Sequence, residues 1–291
     1  MPPIPPPTSS GFTTTTPVPL FWARQGTPDA PPILVLHGGP GASHDYLLPQ
    51  MLGLDSAAEG GRDLLFYDQR GGGRSRHDDD RAAIGWQDQV ADVGRVIAEF
   101  GLGDACIVGY SWGGLLALLY ALEARRGNGP VPSRLILIDP APLSRQYRDS
   151  FEAEFAARQA SREVKQLRDE LAASGLRERD PDAYRQRLFE LSVAGYFADP
   201  ARARDLTPFR VTGRVQQSIW ASLGEYDLVP ELSQVQVPTV VVHGRQDPIP
   251  LASSEAGARA LNAELIVLED CGHVPYVEQP AALFSALAPF L

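Results

Sequence analysis

The chain has 291 residues, of which 44% are hydrophobic and 21% charged, a composition typical of a globular protein with one large core and room for an insertion. Its net charge of -10 and its lack of a Lys/Arg run exclude a nucleic-acid partner and an anionic membrane surface, because both require a basic face. Two cysteines are too few for a disulfide framework, and no apolar run approaches the ~20 residues of a membrane-spanning helix, so we expect a cytoplasmic protein. The sequence does not determine the oligomeric state.

The N-terminal stretch is rich in proline, which breaks helices, and it lacks the basic segment and apolar run of a signal peptide. We therefore expect residues 1–16 to form a flexible, polyproline-like arm that is followed by an edge strand.

Short apolar runs bounded by turn residues follow, and each is apolar on both faces, which is typical of buried parallel strands. These predicted strands are PILVLHGG (32–39), DLLFYDQRG (63–71), DACIVGYS (104–111), SRLILIDPAP (133–142), PTVVVHGRQD (238–247) and AELIVLEDCGH (263–273). Helical patterns lie between them, for example over residues 86–101, where Val90, Val93 and Ile97 recur at helical spacing, and over residues 113–127. The alternation of strand and helix predicts an α/β fold with a mostly parallel sheet.

The alternation stops over residues 143–230, which are rich in Arg, Glu and Ala and have a helical pattern. We predict that this stretch is a helical cap, inserted between strands of a core formed by residues 1–142 and 231–291. An insertion at the carboxyl ends of the strands would cover a site located there.

The sequence Gly-Tyr-Ser-Trp-Gly at residues 109–113 lies between a predicted strand and an apolar helix, where it predicts a nucleophile elbow. In such an elbow the serine occupies a strained turn, and the flanking glycines let strand and helix approach each other. The turn would expose the Ser111 hydroxyl at the positive N-terminal end of the helix. We therefore predict that Ser111 is a catalytic nucleophile.

A serine hydroxyl is a weak nucleophile at neutral pH, so it needs a general base that is itself oriented by an acid. His273 follows the last predicted strand, where a loop can lean over the sheet toward Ser111, and we predict that it is the base. Of the other histidines, His37 is expected to hold the glycine-rich loop that it opens. We expect His44 and His77 to lie in polar loops, and His243 to lie in a buried strand.

Asp247 ends the predicted strand PTVVVHGRQD, 26 residues before His273, and the order Ser, Asp, His is the one that this architecture requires. We predict that Asp247 is the orienting acid. Asp139, at the end of the preceding predicted strand, is the alternative. Asp270 is interpreted as a turn residue.

Acyl transfer also requires hydrogen-bond donors for the developing oxyanion, usually two backbone N–H groups. One is expected from Trp112, directly after the nucleophile. The other is expected from the sequence HGGPG at residues 37–41, which follows the first buried strand, and Gly39 is our candidate there.

Three motifs together, HGGPG at 37–41, DQRGGGRS at 68–75 and GYSWGG at 109–114, closed by Asp247 and His273, resemble the proline iminopeptidases (prolyl aminopeptidases) of the α/β-hydrolase fold. The similarity covers most of the chain and is weakest in the predicted cap.

The resemblance implies a serine peptidase that releases an N-terminal residue, preferably proline, from small peptides, with no metal or organic cofactor. It also implies an oxyanion hole formed by Gly39 and Trp112. In that family, glutamates of the cap bind the α-amine of the substrate, whereas the comparable stretch ELSVAGYF here has valine and alanine where an acid is expected. The candidate substrate-binding residues are therefore two glutamates and two aromatic residues: Glu190, Glu225, Tyr110 and Trp220.

Two other functions are compatible with the same residues. An esterase, lactonase or amidase would use the same Ser-His-Asp triad on a substrate without a free amine. A hydrolase-fold receptor would bind a ligand without catalysis, but the joint presence of the triad and both oxyanion elements argues against it.

Overall fold

A computed structural model describes residues 3–76 and 84–291, so His77 and the first two residues of the predicted arm lie outside the described residues. Its strands are β1 (Ser9–Phe12), β2 (Phe21–Gly26), β3 (Pro32–Leu36), β4 (Asp63–Tyr67), β5 (Cys106–Tyr110), β6 (Arg134–Ile138), β7 (Thr239–Gly244) and β8 (Glu264–Leu268). They form one sheet in the order β1-β2-β4-β3-β5-β6-β7-β8. The pairs β1·β2 and β2·β4 are antiparallel, and all the other neighbours are parallel.

Helices connect the strands and flank the sheet. The α-helices are α1 (Gly53–Ala57), α2 (Trp86–Glu99), α3 (Trp112–Arg125), α4 (Arg145–Gln159), α5 (Arg162–Ala173), α6 (Leu176–Arg179), α7 (Pro181–Val193), α8 (Gly213–Leu223), α9 (Leu251–Leu261), α10 (Pro275–Glu278) and α11 (Pro280–Leu287). Short 3-10 helices lie at His44–Leu47, Gln50–Leu52, Ala194–Tyr196, Pro200–Asp205, Val229–Gln234 and Ala288–Phe290. No helix of the described residues is both long and apolar enough to cross a membrane.

The central strands are buried on both faces, as the continuous apolar runs predict. Alternate residues enter two cores, so that Leu34 and Leu36 pack with α2 and α3 on one face, while Ile33 and Val35 pack on the other. Each of the six predicted strands and both predicted helices is present, and the predicted α/β fold with a mostly parallel sheet is confirmed.

The N-terminal segment differs from the flexible arm expected over residues 1–16. It contains β1, and the carboxylate of Glu99 on α2 accepts hydrogen bonds from the backbone N–H groups of Thr14 and Thr15 at 2.8 and 3.0 Å. The proline cluster ends at Pro7, so the residues after it keep their backbone N–H groups and can pair with β2.

Helices α4 to α8 lie between β6 and β7, within residues 143–230, which we call the inserted segment. Its first helix has no buried residue and carries ion pairs at the i,i+4 spacing, such as Arg145–Asp149 and Arg158–Glu154. The inserted segment also reaches the core loops, because the carbonyl of Tyr196 accepts a hydrogen bond from the backbone N–H of His273 at 2.7 Å.

Candidate active site

Ser111 lies in the turn between β5 and α3 with φ 54° and ψ -120°, a backbone conformation that L-residues rarely adopt. The neighbouring glycines make this turn possible. A Cβ added to Gly109 would lie 2.4 Å from the carbonyl oxygen of Gly113, and one added to Gly113 would lie 2.0 Å from the carbonyl oxygen of Leu36. The strand-turn-helix of a nucleophile elbow is therefore present at the predicted position.

Ser111, His273 and Asp247 are brought together by the carboxyl ends of three parallel strands. Nε2 of His273 lies 3.0 Å from Oγ of Ser111, and Nδ1 lies 2.7 Å from Oδ2 of Asp247. Asp247 also accepts a hydrogen bond of 2.7 Å from the backbone N–H of Ile249. Because a carboxylate only accepts, Nδ1 carries the proton, and Nε2 is left to accept the Ser111 proton.

The His273 ring is buried against two aromatic rings, those of Tyr110 and Tyr196, with centroids 5.3 and 5.1 Å away. Burial lowers the pKa of His273 to about 4, while Asp139 and Glu278 act in the opposite direction. The imidazole is therefore neutral at neutral pH, which is the form that can accept a proton.

Asp139 follows β6 and lies beside Asp247. Burial, followed by the charge of Asp247, raises the pKa of Asp139 well above its usual range. Burial also raises the pKa of Asp247, whereas its hydrogen bonds with Asp139 and Ile249 lower it. Asp139 is thus the carboxyl group that keeps the proton, and in that form its hydroxyl can donate a hydrogen bond to Asp247. In the described structure His273 contacts Asp247, the preferred acid, and not the alternative Asp139.

The glycine-rich loop after β3 packs directly on the nucleophile. A Cβ added to Gly38 would lie 2.7 Å from Cβ of Ser111, and Gly39, with φ 56°, lines the same cavities as Ser111. Trp112 is the first residue of α3, where backbone N–H groups have no intrahelical partner. Both predicted oxyanion donors therefore belong to residues beside Ser111.

Gln69 holds these two elements together, a role that the sequence did not reveal. Its side-chain amide donates to the carbonyl of His37 at 2.7 Å, and its amide oxygen accepts a hydrogen bond of 2.9 Å from the indole N–H of Trp112. Its backbone N–H donates to Nε2 of His37 at 3.1 Å, so His37 holds its loop as expected. The signal in the sequence was the DQRGGGRS motif itself, whose second residue this is.

Three buried residues around the acid could offer metal ligands, since ligand atoms of Asp139, His243 and Asp247 lie within 4.8 Å of one another. Each already has a protein partner. Asp139 accepts from the N–H of Gly244 at 2.7 Å, and His243 lies 2.9 Å from the hydroxyl of Ser254. We therefore interpret Asp139 and His243 as residues that support Asp247 and not as metal ligands. His243 lies buried in β7, the strand in which the sequence predicted a buried histidine.

Two cavities open on Ser111, and they share Gly39, Tyr196, Gln216 and His273. One, of about 460 Å³, is called the polar cavity, and its walls include Arg145, Arg148, Phe151, Glu152, Trp112 and Trp220. The other, of about 330 Å³, is called the aromatic cavity, and its walls include Tyr46, Tyr110, Phe189, Val193 and Phe209.

The structure places the two aromatic candidates on the cavity walls, Tyr110 in the aromatic cavity and Trp220 in the polar cavity. It places the two candidate glutamates elsewhere. Glu190 is bound by Arg187 and Gln186 on its own helix, the side chain of Glu225 is 87% exposed, and neither lines a cavity that contains Ser111.

Glu152, on α4, is the acid that lines the polar cavity. The sequence pattern did not distinguish it, because α4 is charged on several faces and the pattern does not show which face meets Ser111.

Comparison with known proteins identifies the family of this chain. Residues 33–286 match the alpha/beta hydrolase family. The chain belongs to that family. A proline iminopeptidase of Lactobacillus delbrueckii subsp. bulgaricus is 27% identical over 285 residues, which cover 90% of each chain. The resemblance to proline iminopeptidases is thereby confirmed for this alpha/beta hydrolase.

Solved structures share the fold. The proline iminopeptidase of Mycobacterium smegmatis superposes on this hydrolase with a TM-score of 0.68, at 22% identity and 97% coverage of both chains. The enol-lactonase of Burkholderia xenovorans LB400 superposes with a TM-score of 0.65, at 20% identity, with 96% of this chain and 99% of the other covered.

Proposed function

We propose that this alpha/beta hydrolase is a serine hydrolase that works through an acyl-enzyme. The observation that carries the proposal is the continuous hydrogen-bonded chain from Asp247 through His273 to Ser111 at the junction of two cavities. The loop of Gly39 and the start of α3 at Trp112 supply the candidate oxyanion donors.

In the proposed reaction, Oγ of Ser111 attacks the scissile carbonyl while its proton passes to Nε2 of His273. Asp247 stabilises the imidazolium through Nδ1–H, and the N–H groups of Gly39 and Trp112 donate to the oxyanion. When the tetrahedral intermediate collapses, the bond to the leaving group breaks and His273 gives that group its proton. Water, deprotonated by His273, then cleaves the acyl-enzyme and regenerates Ser111.

The inserted segment acts in this proposal as the cap. It contributes Arg148, Glu152, Tyr196 and Trp220 to the walls around Ser111, so it limits the size of the substrate and excludes water from the acyl-enzyme. Cavities of about 460 and 330 Å³ suit substrates of the size of a short peptide.

The substrate class that we favour is a small peptide with a free N-terminus, with proline preferred at that end. The relatives named proline iminopeptidase and the three shared motifs support this class. The aromatic cavity matches a pyrrolidine ring in character, and Glu152 is the acid on the cavity walls that is available to a protonated amine.

One observation favours a second candidate, an esterase, lactonase or amidase without a requirement for an amine. Nε of Arg148 donates to the Glu152 carboxylate at 2.8 Å, which offsets the negative charge that an amine site needs.

The test compares hydrolysis of a proline arylamide with hydrolysis of its N-acetylated form. Aminopeptidase activity predicts at least a tenfold preference for the free amine. That preference should fall in Glu152→Gln and persist in the control Glu154→Gln, whose carboxylate pairs with Arg158 away from the cavity. Equal cleavage of both arylamides, or cleavage of p-nitrophenyl esters alone, would favour the second candidate.

The serine mechanism is tested with Ser111→Ala beside Ser233→Ala, an exposed serine outside the site. We expect a rate loss of about 10⁴-fold or more for the first and none for the second. A Ser111→Ala protein with wild-type turnover would contradict the mechanism.

A further inference from the structure

We propose that Arg148 binds a carboxylate of the substrate, so that this hydrolase prefers substrates that carry a carboxylate in the part occupying the polar cavity. The inference rests on the proposed serine hydrolase function, since it names the substrate class of the same site.

The guanidinium of Arg148 is held in place at the wall of the cavity that contains Ser111. Its side chain is 20% exposed, and Nε donates to Oε1 of Glu152 at 2.8 Å. Its central carbon lies 4.3 Å from the ring centroid of Trp220, in a cation–π contact. Trp220 packs edge-on against Trp112, the residue after the nucleophile, with centroids 5.3 Å apart. The orientation of this arginine is therefore fixed relative to Ser111.

Arg148 uses only part of its donor capacity. An arginine has five N–H donors, and the pair of nitrogens beyond Nε can bind both oxygens of one carboxylate. Across the described ranges, 3–76 and 84–291, Nη1 and Nη2 of Arg148 have no hydrogen-bond partner. A rigid guanidinium with unused donors is typical of a recognition site for a planar anion.

The charges on the cavity wall also favour an anion. Two arginines, Arg145 and Arg148, and one glutamate, Glu152, line the polar cavity. Arg145 is paired with Asp149 at 2.8 Å, and Asp149 does not line the cavity. The described walls of the aromatic cavity include no Asp, Glu, Lys or Arg, so the apolar part of a substrate fits there and a charged part fits beside Arg148.

The carboxylate could belong to either side of the scissile bond. On the leaving-group side it would be the C-terminus of a dipeptide, and on the acyl side it would be the free end of a dicarboxylic half-ester. Two matched substrate pairs separate these sources. One pair is Pro-Gly and its C-terminal amide, and the other is mono-p-nitrophenyl adipate and p-nitrophenyl hexanoate.

We expect kcat/KM to be at least about tenfold higher for the carboxylate in one pair, since hydrogen bonds to charged groups are the stronger ones. Arg148→Gln should bring that ratio close to one, and Arg148→Lys should keep part of it. The control Arg185→Gln removes an arginine of α7 that pairs with Asp182 away from the cavities, and it should leave the ratio unchanged. Circular dichroism of each variant checks the fold.

A measurement on the wild-type protein gives the same answer without a variant. Adipate should inhibit hydrolysis of p-nitrophenyl hexanoate competitively, and adipamide should not. Equal kcat/KM within both pairs, equal inhibition by the two compounds, or a preference that survives Arg148→Gln would overturn the inference and leave the hydrolase function standing. No hydrolysis of any substrate, together with no labelling of Ser111 by a fluorophosphonate, would overturn both.

Discussion

His273 determines how the proposed chemistry depends on pH. Burial lowers its pKa to about 4, and a base must be deprotonated to act, so activity is lost as the pH falls through the pKa of His273. We expect kcat/KM for a small ester to be constant down to about pH 5 and to halve near pH 4. An ordinary histidine would halve it near pH ~6.5.

The measurement is a pH–rate profile from pH 3.5 to 8 with circular dichroism at each point. Rates are also measured after return to pH 7, which separates protonation from acid unfolding. An acid limb centred above pH 6 would contradict the burial argument.

Asp139 supports Asp247 by staying protonated, and an asparagine would imitate that state. The Asn side chain can accept from the N–H of Gly244 and can donate to Asp247, as a protonated Asp139 can. We therefore expect Asp139→Asn to keep kcat/KM within about threefold of wild type and Asp139→Ala to lose more, because only the alanine removes the donor group at residue 139. Strong inactivation by Asp139→Asn would show that the ionised form is required.

The same substitution has a consequence for stability. A carboxyl group whose pKa is raised in the folded state costs stability as the pH rises above its unfolded value of about 3.9, because only the unfolded chain then releases the proton freely. Asp139→Asn removes that cost. Its Tm should exceed that of the wild type by an amount that grows from pH 4 to pH 8. A difference in Tm that does not change with pH would contradict this assignment.

At the scale of elements, the elbow between β5 and α3 depends on close backbone packing. A Cβ at Gly113 would lie 2.0 Å from the carbonyl oxygen of Leu36, which is backbone and has little room to move. Gly113→Ala should therefore cost about 1–3 kcal/mol of unfolding free energy and reduce activity further by displacing Ser111. Gly103→Ala is the matched control, because a Cβ there meets nothing within 4 Å. Thermal unfolding and fluorophosphonate labelling measure the two effects, and equal Tm values for the two variants would refute the prediction.

The elements that the sequence predicted are those whose signal is local. Runs such as residues 133–142 are apolar on both faces and bounded by turns, so they identify buried strands without further information. The nucleophile elbow is similarly local, because its glycines are needed within five consecutive residues. By contrast β1 carries no apolar run, and its place depends on pairing with β2 and on the distant Glu99.

The candidate site shows the same division between local and long-range signals. Ser111, His273 and Asp247 follow strands whose carboxyl ends meet, so strand order alone brings them near each other. No such rule predicts which residues of the inserted segment lie near Ser111. Whether Glu152 or Glu190 faces Ser111 depends on how α4 and α7 are placed on the core, and helical periodicity carries no information about that placement.

At the scale of the whole molecule, a single sheet carries both the site and the edge strand β1, and several strands lie between the two. β2, β4 and β3 lie between β1 and β5, which places β1 about 19 Å from the strand that leads to Ser111 at the usual spacing of strands.

Removing residues 1–16 would expose the backbone N–H and C=O groups of β2, and an exposed edge invites pairing between molecules. We expect the truncated protein to have a lower Tm and to self-associate in size-exclusion chromatography, while its folded fraction labels Ser111 at the wild-type rate. Glu99→Gln, which weakens the hydrogen bonds to Thr14 and Thr15 without exposing the edge, should lower Tm by less and leave the molecule's size unchanged. Slower labelling of Ser111 in the truncated protein would show that the N-terminal segment contributes to the site, and an unchanged Tm would show that β1 adds nothing to the stability of the sheet.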